Sequence, residues 1–203
     1  MKRHIAVAIT GASGAVYGVR LVEELLAAGS RLSLMISNSG YTVLKEELGL
    51  AWSADAATVN GTVRGYFKAA AENLTYYGED DFFSPLASGS AAPEAMIVAP
   101  CSMGSLARIA AGLSGNLLER AADVMLKEGK PLILLPRETP LSAIHLENML
   151  KLARLGVRIV PAMPGFYGQP QTLDDVVNFV VGKLLNQLGM EHRLSKRWGE
   201  KEA

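Results

Sequence analysis

Short runs of apolar residues alternate along the chain with longer segments that carry apolar residues at helical spacing. The first run, 4–10, is rich in β-branched residues and stops at Gly11. In the segment 16–28 that follows, Val16, Leu21 and Leu25 recur at helical spacing. This alternation predicts βαβ units, and unbroken apolar runs are typical of strands buried on both faces. We therefore predict an α/β protein with three layers, in which helices cover both faces of a mostly parallel sheet.

The same pattern continues to the end of the chain. Strands are predicted at 31–36, 95–99, 131–135 and 157–160, and helices at 37–48, 102–111, 116–127, 142–155 and 173–188. The segment 51–92 is less regular, and its glycine, serine and proline content predicts loops and short strands. No linker divides the chain, and its 203 residues with 49% apolar content suffice for one core, so residues 1–203 are predicted to form a single domain.

Charge and cysteine content narrow the classes of function. Lysine plus arginine and aspartate plus glutamate both number 20, so the formal net charge is zero. Such a chain lacks the overall field that draws a protein to nucleic acid or to an anionic membrane, and a basic site would have to be a local cluster. The single cysteine, Cys101, excludes an intrachain disulfide and a multi-cysteine metal site and is compatible with a reducing compartment.

No apolar run is typical of a membrane span or a signal peptide. The run 5–9 is too short for a signal peptide and is broken by the glycines that follow. The longest apolar region, 95–113, is interrupted by Pro100, Gly104 and Arg108. We therefore expect a cytoplasmic protein that has no membrane span.

The loops that leave the predicted strands mark the candidate site, because ligands of open α/β sheets bind beyond the carboxyl ends of the strands. The five such loops are 10–15, 37–39, 100–105, 136–140 and 161–171. Four of these five are rich in hydroxyl or charged side chains. The sequence therefore predicts a polar ligand site at this edge of the sheet.

The loop 10–15 joins a strand to a helix through Gly11, Ala12, Ser13 and Gly14. Glycines allow a ligand to approach the backbone closely, and free N–H groups at a helix start attract anions. The loop lacks the GxGxxG pattern, and no acidic residue stands at the ribose-binding spacing, so a mononucleotide fits better than a dinucleotide. Taken alone, the loop is interpreted equally well as an ordinary tight turn.

Several chemically suggestive residues also have structural interpretations. Ser102 is well placed to cap the helix that follows it. No base can be assigned to Cys101, which is therefore expected to be a buried and inert thiol. His145 is expected to be structural. The acidic groups 79–81 and 174–175 lack the DDxxD spacing of a Mg²⁺–diphosphate site and are expected to be solvated caps or loops.

Basic side chains on or beside the predicted helices and loops are ambiguous one by one. Arg120, Lys127, Arg137 and Lys183 would each be interpreted singly as a solvated surface charge. Arg137 and Glu138 are harder to explain in this way, because they lie between two prolines directly after a buried strand.

Eight motifs in a fixed order carry a more specific signal than any single loop. They are ITGASG at 9–14, ASGS at 87–90, PCSMG at 100–104, NLLERAADV at 116–124, PRE at 136–138, HLENM at 145–149, PGFY at 164–167 and RWGE at 197–200. Together they resemble the flavin prenyltransferases of the UbiX type, from the first predicted strand to near the C-terminus. The segment 52–70 is the least characteristic part of the chain.

The resemblance implies a Rossmann-like or flavodoxin-like fold that binds FMN. It also implies a homo-oligomer, usually a dodecamer, with sites at subunit interfaces, and the C-terminal tail 190–203 is expected to reach a neighbouring subunit. The residues implied for FMN are Gly11, Ala12, Ser13, Ser37, Ser102, Met103, Gly104, Ser105 and Arg137. Those implied for dimethylallyl monophosphate, some of them from a neighbouring subunit, are Ser88, Gly89, Arg120, Lys127, Arg137, Glu138, Tyr167 and Lys183. The catalytic set implied by the resemblance is Ser13, Glu47, Glu138 and Trp198.

The implied reaction joins the dimethylallyl group to N5 and then C6 of reduced FMN and releases phosphate without a metal ion. Basic side chains would neutralise the monophosphate, and the face of Trp198 would stabilise an allylic cation. Ser13, Glu138 and the released phosphate are candidates for the proton transfers, and Glu47 matches a carboxylate near the flavin. Prenylated FMN would then pass to a UbiD-type decarboxylase.

Two other functions stay open at this point. FMN-dependent decarboxylases of the cysteine-decarboxylase group share the fold, but they use a histidine on the first helix, and the segment 16–28 contains none. A non-enzymatic flavin carrier would not require the several basic residues that indicate a second, anionic ligand.

Overall fold

Six parallel strands form one sheet in the computed structural model, which describes residues 2–52 and 56–195. The strands are β1 (His4–Ile9), β2 (Arg31–Ile36), β3 (Leu74–Tyr76), β4 (Ala95–Cys101), β5 (Leu132–Pro136) and β6 (Arg158–Ile159). Their order across the sheet is β3-β2-β1-β4-β5-β6, and each pair of neighbours is parallel. This is the Rossmann-type order, in which the chain reverses direction across the sheet between β1 and β4. The predicted α/β architecture is confirmed.

The described ranges contain seven α-helices, of which the last follows β6 and the others lie between strands. They are α1 (Ala15–Ala27), α2 (Asn38–Leu48), α3 (Ala56–Phe67), α4 (Met103–Ala110), α5 (Leu117–Lys127), α6 (Ala143–Arg154) and α7 (Leu173–Gln187). Five of these helices are capped at their N-terminus by a side-chain oxygen that accepts a hydrogen bond from a backbone N–H of the first turn. The capping residues are Ser37, Ser102, Asn116, Ser142 and Thr172. His145 completes a capping box with Ser142, which agrees with the structural role expected of it.

The sheet is buried on both faces, as the unbroken apolar strands predict. In β1, Ile5, Val7 and Ile9 belong to one core cluster, which also contains buried residues of α1, α3 and α7. Ala6 and Ala8 point to the other face and pack in a second cluster with residues of α4, α5 and α6. Alternate residues of one strand thus enter opposite cores, because successive side chains of a strand point to opposite faces.

The segment 51–92 differs from the predicted loops and short strands, because it contains the helix α3. The prediction was wrong there because Gly61, Gly65 and β-branched residues give α3 low intrinsic helix propensity. Tertiary contacts stabilise it instead: Val59 and Val63 are fully buried in the first core cluster. The side chain of Asn60 also pairs with both backbone groups of Tyr76 in β3.

The first residues of the C-terminal tail return to the chain's own core. Met190 and Leu194 pack against the first core cluster, and the ring of His192 lies against Gly182 of α7. Residues 196–203 lie outside the described residues, so the predicted reach of the tail to a neighbouring subunit stays a prediction. Across the described ranges, no helix is both long enough and apolar enough to cross a membrane.

Candidate functional site

A pocket of about 980 Å³ opens beside the carboxyl ends of β1, β2 and β4. It lies at the point where the order of the strands reverses, which is the usual ligand position in open α/β sheets. Of the residues expected to bind FMN, Gly11, Ser37, Ser102, Gly104 and Ser105 line it. The sequence therefore predicted the edge of the sheet at which this pocket lies.

Thr10 joins the ends of β1 and β4 at this point. Its fully buried side-chain hydroxyl donates to the carbonyl of Pro100 at 2.9 Å and accepts from the backbone N–H of Ser102 at 2.8 Å. The loop after β4 is thereby fixed to the loop after β1. No local sequence pattern indicates this role of Thr10, because its partners lie about 90 residues away.

Two glycines bring the end of β1 and the loop after it close to the start of α2. A Cβ atom at Gly11 would overlap the side chain of Ser39, and one at Gly40 would lie 2.6 Å from the carbonyl oxygen of Ile9. Side chains at these positions would push α2 away from β1 and its loop. The glycine of the first loop thus allows a helix start to approach it, in addition to any approach of a ligand.

One wall of the pocket is made of hydroxyl groups, from Ser37, Ser39, Ser102 and Ser105, and is called the serine wall below. Ser37 caps α2, and its Oγ accepts from the N–H of Gly40 at 3.0 Å. Ser102 caps α4 in the same way, accepting from the N–H of Ser105 at 3.1 Å, and donates to the Ser105 hydroxyl. Two helix starts, each with partial positive charge, therefore face the pocket beside neutral donors.

Four of the residues expected to bind FMN lie outside the described lining for visible reasons. Ala12 and Met103 are buried, and Met103 packs in the second core cluster. Arg137 follows β5, and its Nε donates to the carbonyl of Ser13 at 3.2 Å. Ser13 itself is exposed on the loop. These residues therefore shape or border the loop rather than line the pocket.

Glu47 occupies the start of α1. Its carboxylate accepts from the N–H of Gly14 at 2.8 Å and from that of Ala15 at 3.0 Å. The prediction that the N–H groups at this helix start are free to attract an anion was therefore wrong for these two, because a carboxylate of α2 already accepts from them. Glu47 and Arg137 hold the loop after β1 from two directions.

Another part of the lining is acidic and consists of Glu79, Asp80, Asp81 and Glu119, called the acidic wall below. Glu79 was expected to be solvated, but its carboxylate accepts from the N–H of Asn38 at 3.0 Å and from the side-chain amide of Asn116 at 3.2 Å. It therefore ties the start of α2 to the start of α5 within the pocket lining. These two contacts could not be predicted from the local spacing of acidic residues, because both partners lie far from Glu79 in sequence.

Glu119 is a second residue that sequence reasoning missed. It is 2% exposed, and its carboxylate accepts from Arg108 Nε at 2.8 Å and from the N–H of Gly115 at 2.8 Å. The pair with Arg108 compensates the burial of its charge. The position lies within the NLLERAADV motif, which was used only as part of the resemblance.

A second polar region lies along α5. Arg120 Nε donates to the carbonyl of Ala87 at 3.1 Å, and Lys130 Nζ donates to that of Ala92 at 2.7 Å. Between them, Lys127 lies against Gly89. The structure thus brings together Ser88, Gly89, Arg120 and Lys127, four of the residues expected to contact the donor. Arg120, Lys127 and Lys130, with the segment 87–92, are called the α5 basic cluster below.

The other expected donor residues lie elsewhere on the chain. Glu138 is exposed after β5, and its carboxylate accepts from the N–H of Thr139 at 3.0 Å. Lys183 lies on α7 with its Nζ 5.0 Å from the ring centroid of Phe179, which packs edge-on against Tyr167 at 5.6 Å. Trp198 lies outside the described residues.

Cys101 is fully buried at the end of β4, and burial raises the pKa of its thiol to about 12. It is therefore a neutral, unreactive thiol at physiological pH, as expected from sequence. Among the described side chains, no group of three or more His, Cys, Asp or Glu is arranged to hold a metal ion.

Comparison with known proteins places the chain in a family. A model of the flavoprotein family matches residues 1–185. A flavin prenyltransferase UbiX of Halalkalibacterium halodurans is 54% identical over 194 residues, which are 96% of this chain and 92% of that protein. The chain belongs to the flavin prenyltransferase family.

Solved structures of proteins related to flavin prenyltransferases agree with this assignment. A crystal structure of AnUbiX in complex with FMN and dimethylallyl pyrophosphate is 35% identical, covers the whole of both chains and has a TM-score of 0.87. A dodecameric FMN-dependent UbiX-like decarboxylase from Escherichia coli O157:H7 is 41% identical, covers 97% of this chain and 100% of its own, and has a TM-score of 0.85. The described part of the chain therefore has the fold of these proteins, and the predicted resemblance is confirmed.

Proposed function

We propose that this chain is a flavin prenyltransferase that joins the dimethylallyl group of dimethylallyl monophosphate to N5 and C6 of reduced FMN, without a metal ion. The observation that carries the proposal is the match to a flavin prenyltransferase at 54% identity over 96% of the chain. The AnUbiX complex supports the same pair of ligands, with the donor there a pyrophosphate. The product would be used by a UbiD-type decarboxylase in the cytoplasm.

The residues of the pocket fit a flavin mononucleotide. The volume of about 980 Å³ is at the upper end of the range for small-molecule sites. The serine wall offers hydroxyl donors beside two helix starts, which suits a phosphate, and a Cβ at Gly104 would be 3.9 Å from its nearest neighbour, Ser102 Oγ, which leaves that side open to a ligand. Reduced FMN, when bound, supplies the nucleophilic ring positions to which the prenyl group is transferred.

Basic side chains of the chain would stabilise the departing phosphate. Arg120, Lys127, Arg137 and Lys183 carry fixed positive charges that can neutralise a monophosphate as its bond to the allyl carbon breaks. Lys183 provides one point charge where an arginine would provide a fork of donors, so its contact with phosphate is less directional. This set performs the role that a metal ion has in prenyl transfers from a diphosphate.

Proton transfers are assigned to side chains on two loops at the carboxyl edge of the sheet. Ser13 and Glu138 follow β1 and β5, and Arg137 connects the two loops through its bond to the carbonyl of Ser13. Glu138 is the proposed acid–base group, and Ser13 the relay nearest the flavin. Glu47 fixes the loop that carries Ser13, and Trp198 is proposed to stabilise positive charge on the allyl group.

We further propose a homo-oligomer, with the dodecamer of the related Escherichia coli protein as the expected form. Several large apolar side chains are exposed on the single chain, among them Phe83, Ile144, Leu150, Met163, Phe166 and Leu173. Burial of such residues stabilises subunit contacts. The donor residues on α5 and α7 would then meet the flavin pocket of a neighbouring subunit.

The deciding experiment is anaerobic incubation of the purified protein with reduced FMN and dimethylallyl monophosphate, followed by mass analysis of the extracted flavin. The expected product is a flavin heavier by one dimethylallyl unit, formed equally well in the presence of EDTA. Loss of product with EDTA would remove the metal-independent part of the proposal.

An unmodified flavin, with FMN binding confirmed by absorbance, would contradict prenyl transfer from this donor. Dimethylallyl diphosphate would be tested next. Failure with both donors would favour an FMN-dependent decarboxylase or a flavin carrier, which are distinguished by release of CO₂ from candidate acids.

A further inference from the structure

The α5 basic cluster contains a carboxylate with no role so far. Glu128, the C-cap of α5, directly follows Lys127, and its Oε1 lies 2.5 Å from Lys127 Nζ. Both side chains lie over Gly89, where a Cβ atom would overlap the Glu128 carboxylate and come within 2.9 Å of Lys127 Nζ. A negative charge therefore lies at the surface of Gly89, one of the residues proposed to contact the donor phosphate.

Most positive charges of this region are already paired with carboxylates, so little net positive charge is left for a highly charged anion. Arg120 is paired with Asp123 at 2.7 Å, and Lys127 with Glu128, so two of the three cations of the cluster already have an anionic partner. Lys130 donates to the carbonyl of Ala92. Lys127 holds the pKa of Glu128 below its usual range, with a smaller contribution from Lys130, so this carboxylate stays charged near neutral pH.

A monophosphate carries a charge of about −2 near neutral pH, and a diphosphate carries roughly one more. Like charges brought together disfavour the more highly charged ligand, and such repulsion is a common source of specificity. We propose that Glu128 is a specificity-determining residue that makes this cluster accept a monophosphate donor and discriminate against a diphosphate.

This role of Glu128 rests on the proposed function, but anion binding can be measured without prenyl transfer. Kd values for inorganic phosphate and for pyrophosphate are measured by calorimetry on the FMN-loaded protein. Three variants are compared with the parent: Glu128→Gln, which removes the charge and keeps the shape, Glu128→Asp, which keeps the charge, and Glu72→Gln, which removes an exposed carboxylate on another part of the surface.

Glu128→Gln is expected to tighten pyrophosphate binding about three- to fivefold, the scale of one exposed charge pair, and to tighten phosphate binding by a smaller factor of about two- to threefold, because phosphate carries less charge. Glu128→Asp is expected to keep the parent's preference for phosphate, and Glu72→Gln to leave both Kd values unchanged. An equal change for both anions, or no change in Glu128→Gln, would overturn the proposal.

Activity gives the second readout. In Glu128→Gln, the ratio of kcat/KM for dimethylallyl diphosphate to kcat/KM for the monophosphate should rise. The expected rise equals the change in the ratio of the two Kd values. A parent protein that binds phosphate in preference to pyrophosphate, yet transfers no prenyl group from either donor, would contradict the proposed function and leave the charge discrimination standing. A parent without that preference would contradict the role of Glu128 whatever its activity.

Discussion

Single residues at the pocket show how few contacts fix its loops. The loop after β1 is held by Thr10, by Glu47 and by Arg137, each of which bonds to backbone groups of a different segment. Ser13 lies on this loop with its carbonyl engaged by Arg137 and its side chain exposed. A side-chain change at Ser13 therefore leaves the contacts that hold the loop in place.

Ser13→Ala is expected to keep FMN affinity within about twofold and to reduce product formation at least about 100-fold, the scale of a lost proton-transfer group. The measurement is the flavin Kd together with the mass of the extracted flavin. Ser114→Ala, an exposed serine between α4 and α5, is the control and should be fully active. An unchanged rate in Ser13→Ala would exclude this residue from the proton transfers.

Thr10→Val replaces a buried hydroxyl by a methyl group of similar size. The N–H of Ser102 loses its acceptor, and the carbonyl of Pro100 keeps only the bond from the N–H of Thr10. The free energy of unfolding is expected to fall by about 2 kcal/mol, and FMN binding to weaken. Urea unfolding checks this, with the exposed Thr42→Val as control; equal stability of the two variants would show that the bond contributes little.

At the scale of elements, glycines decide how closely the helices approach the sheet. A Cβ at Gly18 of α1 would overlap the carbonyl of Ala99 in β4 and press on the side chain of Ile9. At Gly61 in α3 nothing lies within 4 Å of the added atom. The same substitution should therefore have opposite effects in the two helices.

Gly18→Ala is expected to lower the free energy of unfolding by about 2 kcal/mol, because α1 must move away from the sheet. Gly61→Ala is expected to raise it by about 0.5–1 kcal/mol through helix propensity alone. Thermal and urea unfolding of both variants provide the comparison. A stabilised Gly18→Ala would mean that α1 can shift without loss of packing.

Much of the element pattern was predictable from sequence, and the exceptions have a physical reason. The predicted strand 31–36 has the observed bounds of β2, and the serines at 37 and 102 lie one residue before α2 and α4, as caps do. These features depend on local patterns of apolar and capping residues. Helix α3 was missed because its stability comes from contacts with the core and with Tyr76, which no local pattern records.

At the scale of the whole molecule, the end of the sheet opposite the pocket contains a pH-sensitive group. His4 begins β1, and its Nε2 is 2.8 Å from Ser33 Oγ. Burial, with a contribution from Arg31, lowers the pKa of His4 to about 4, against the opposing effect of Glu94. In the unfolded chain the imidazole titrates near its ordinary value of about 6.5.

Because the folded state binds this proton less readily than the unfolded state, the contribution of His4 is complete above about pH 6.5 and is lost as the pH falls towards 4. The unfolding free energy should decrease over this interval, and His4→Gln should show a smaller decrease. Urea unfolding of both proteins at pH 7 and pH 5 gives this difference. The carboxylates titrate alike in the two proteins, so the difference isolates the contribution of His4. Equal decreases in the two proteins would contradict a neutral, partly buried His4.

Sequence alone determined the class of fold, the edge of the sheet that carries the pocket and the family, because these follow from periodicity, loop composition and ordered motifs. Only the tertiary structure decided which polar groups are already engaged. Glu47 fills a helix start that the sequence left free, and Glu79 and Glu119 form a wall from residues interpreted as solvated or not considered. The reason is physical: the partners of these carboxylates lie on other elements, and their distance in space is set by how the helices pack on the sheet and not by spacing along the chain.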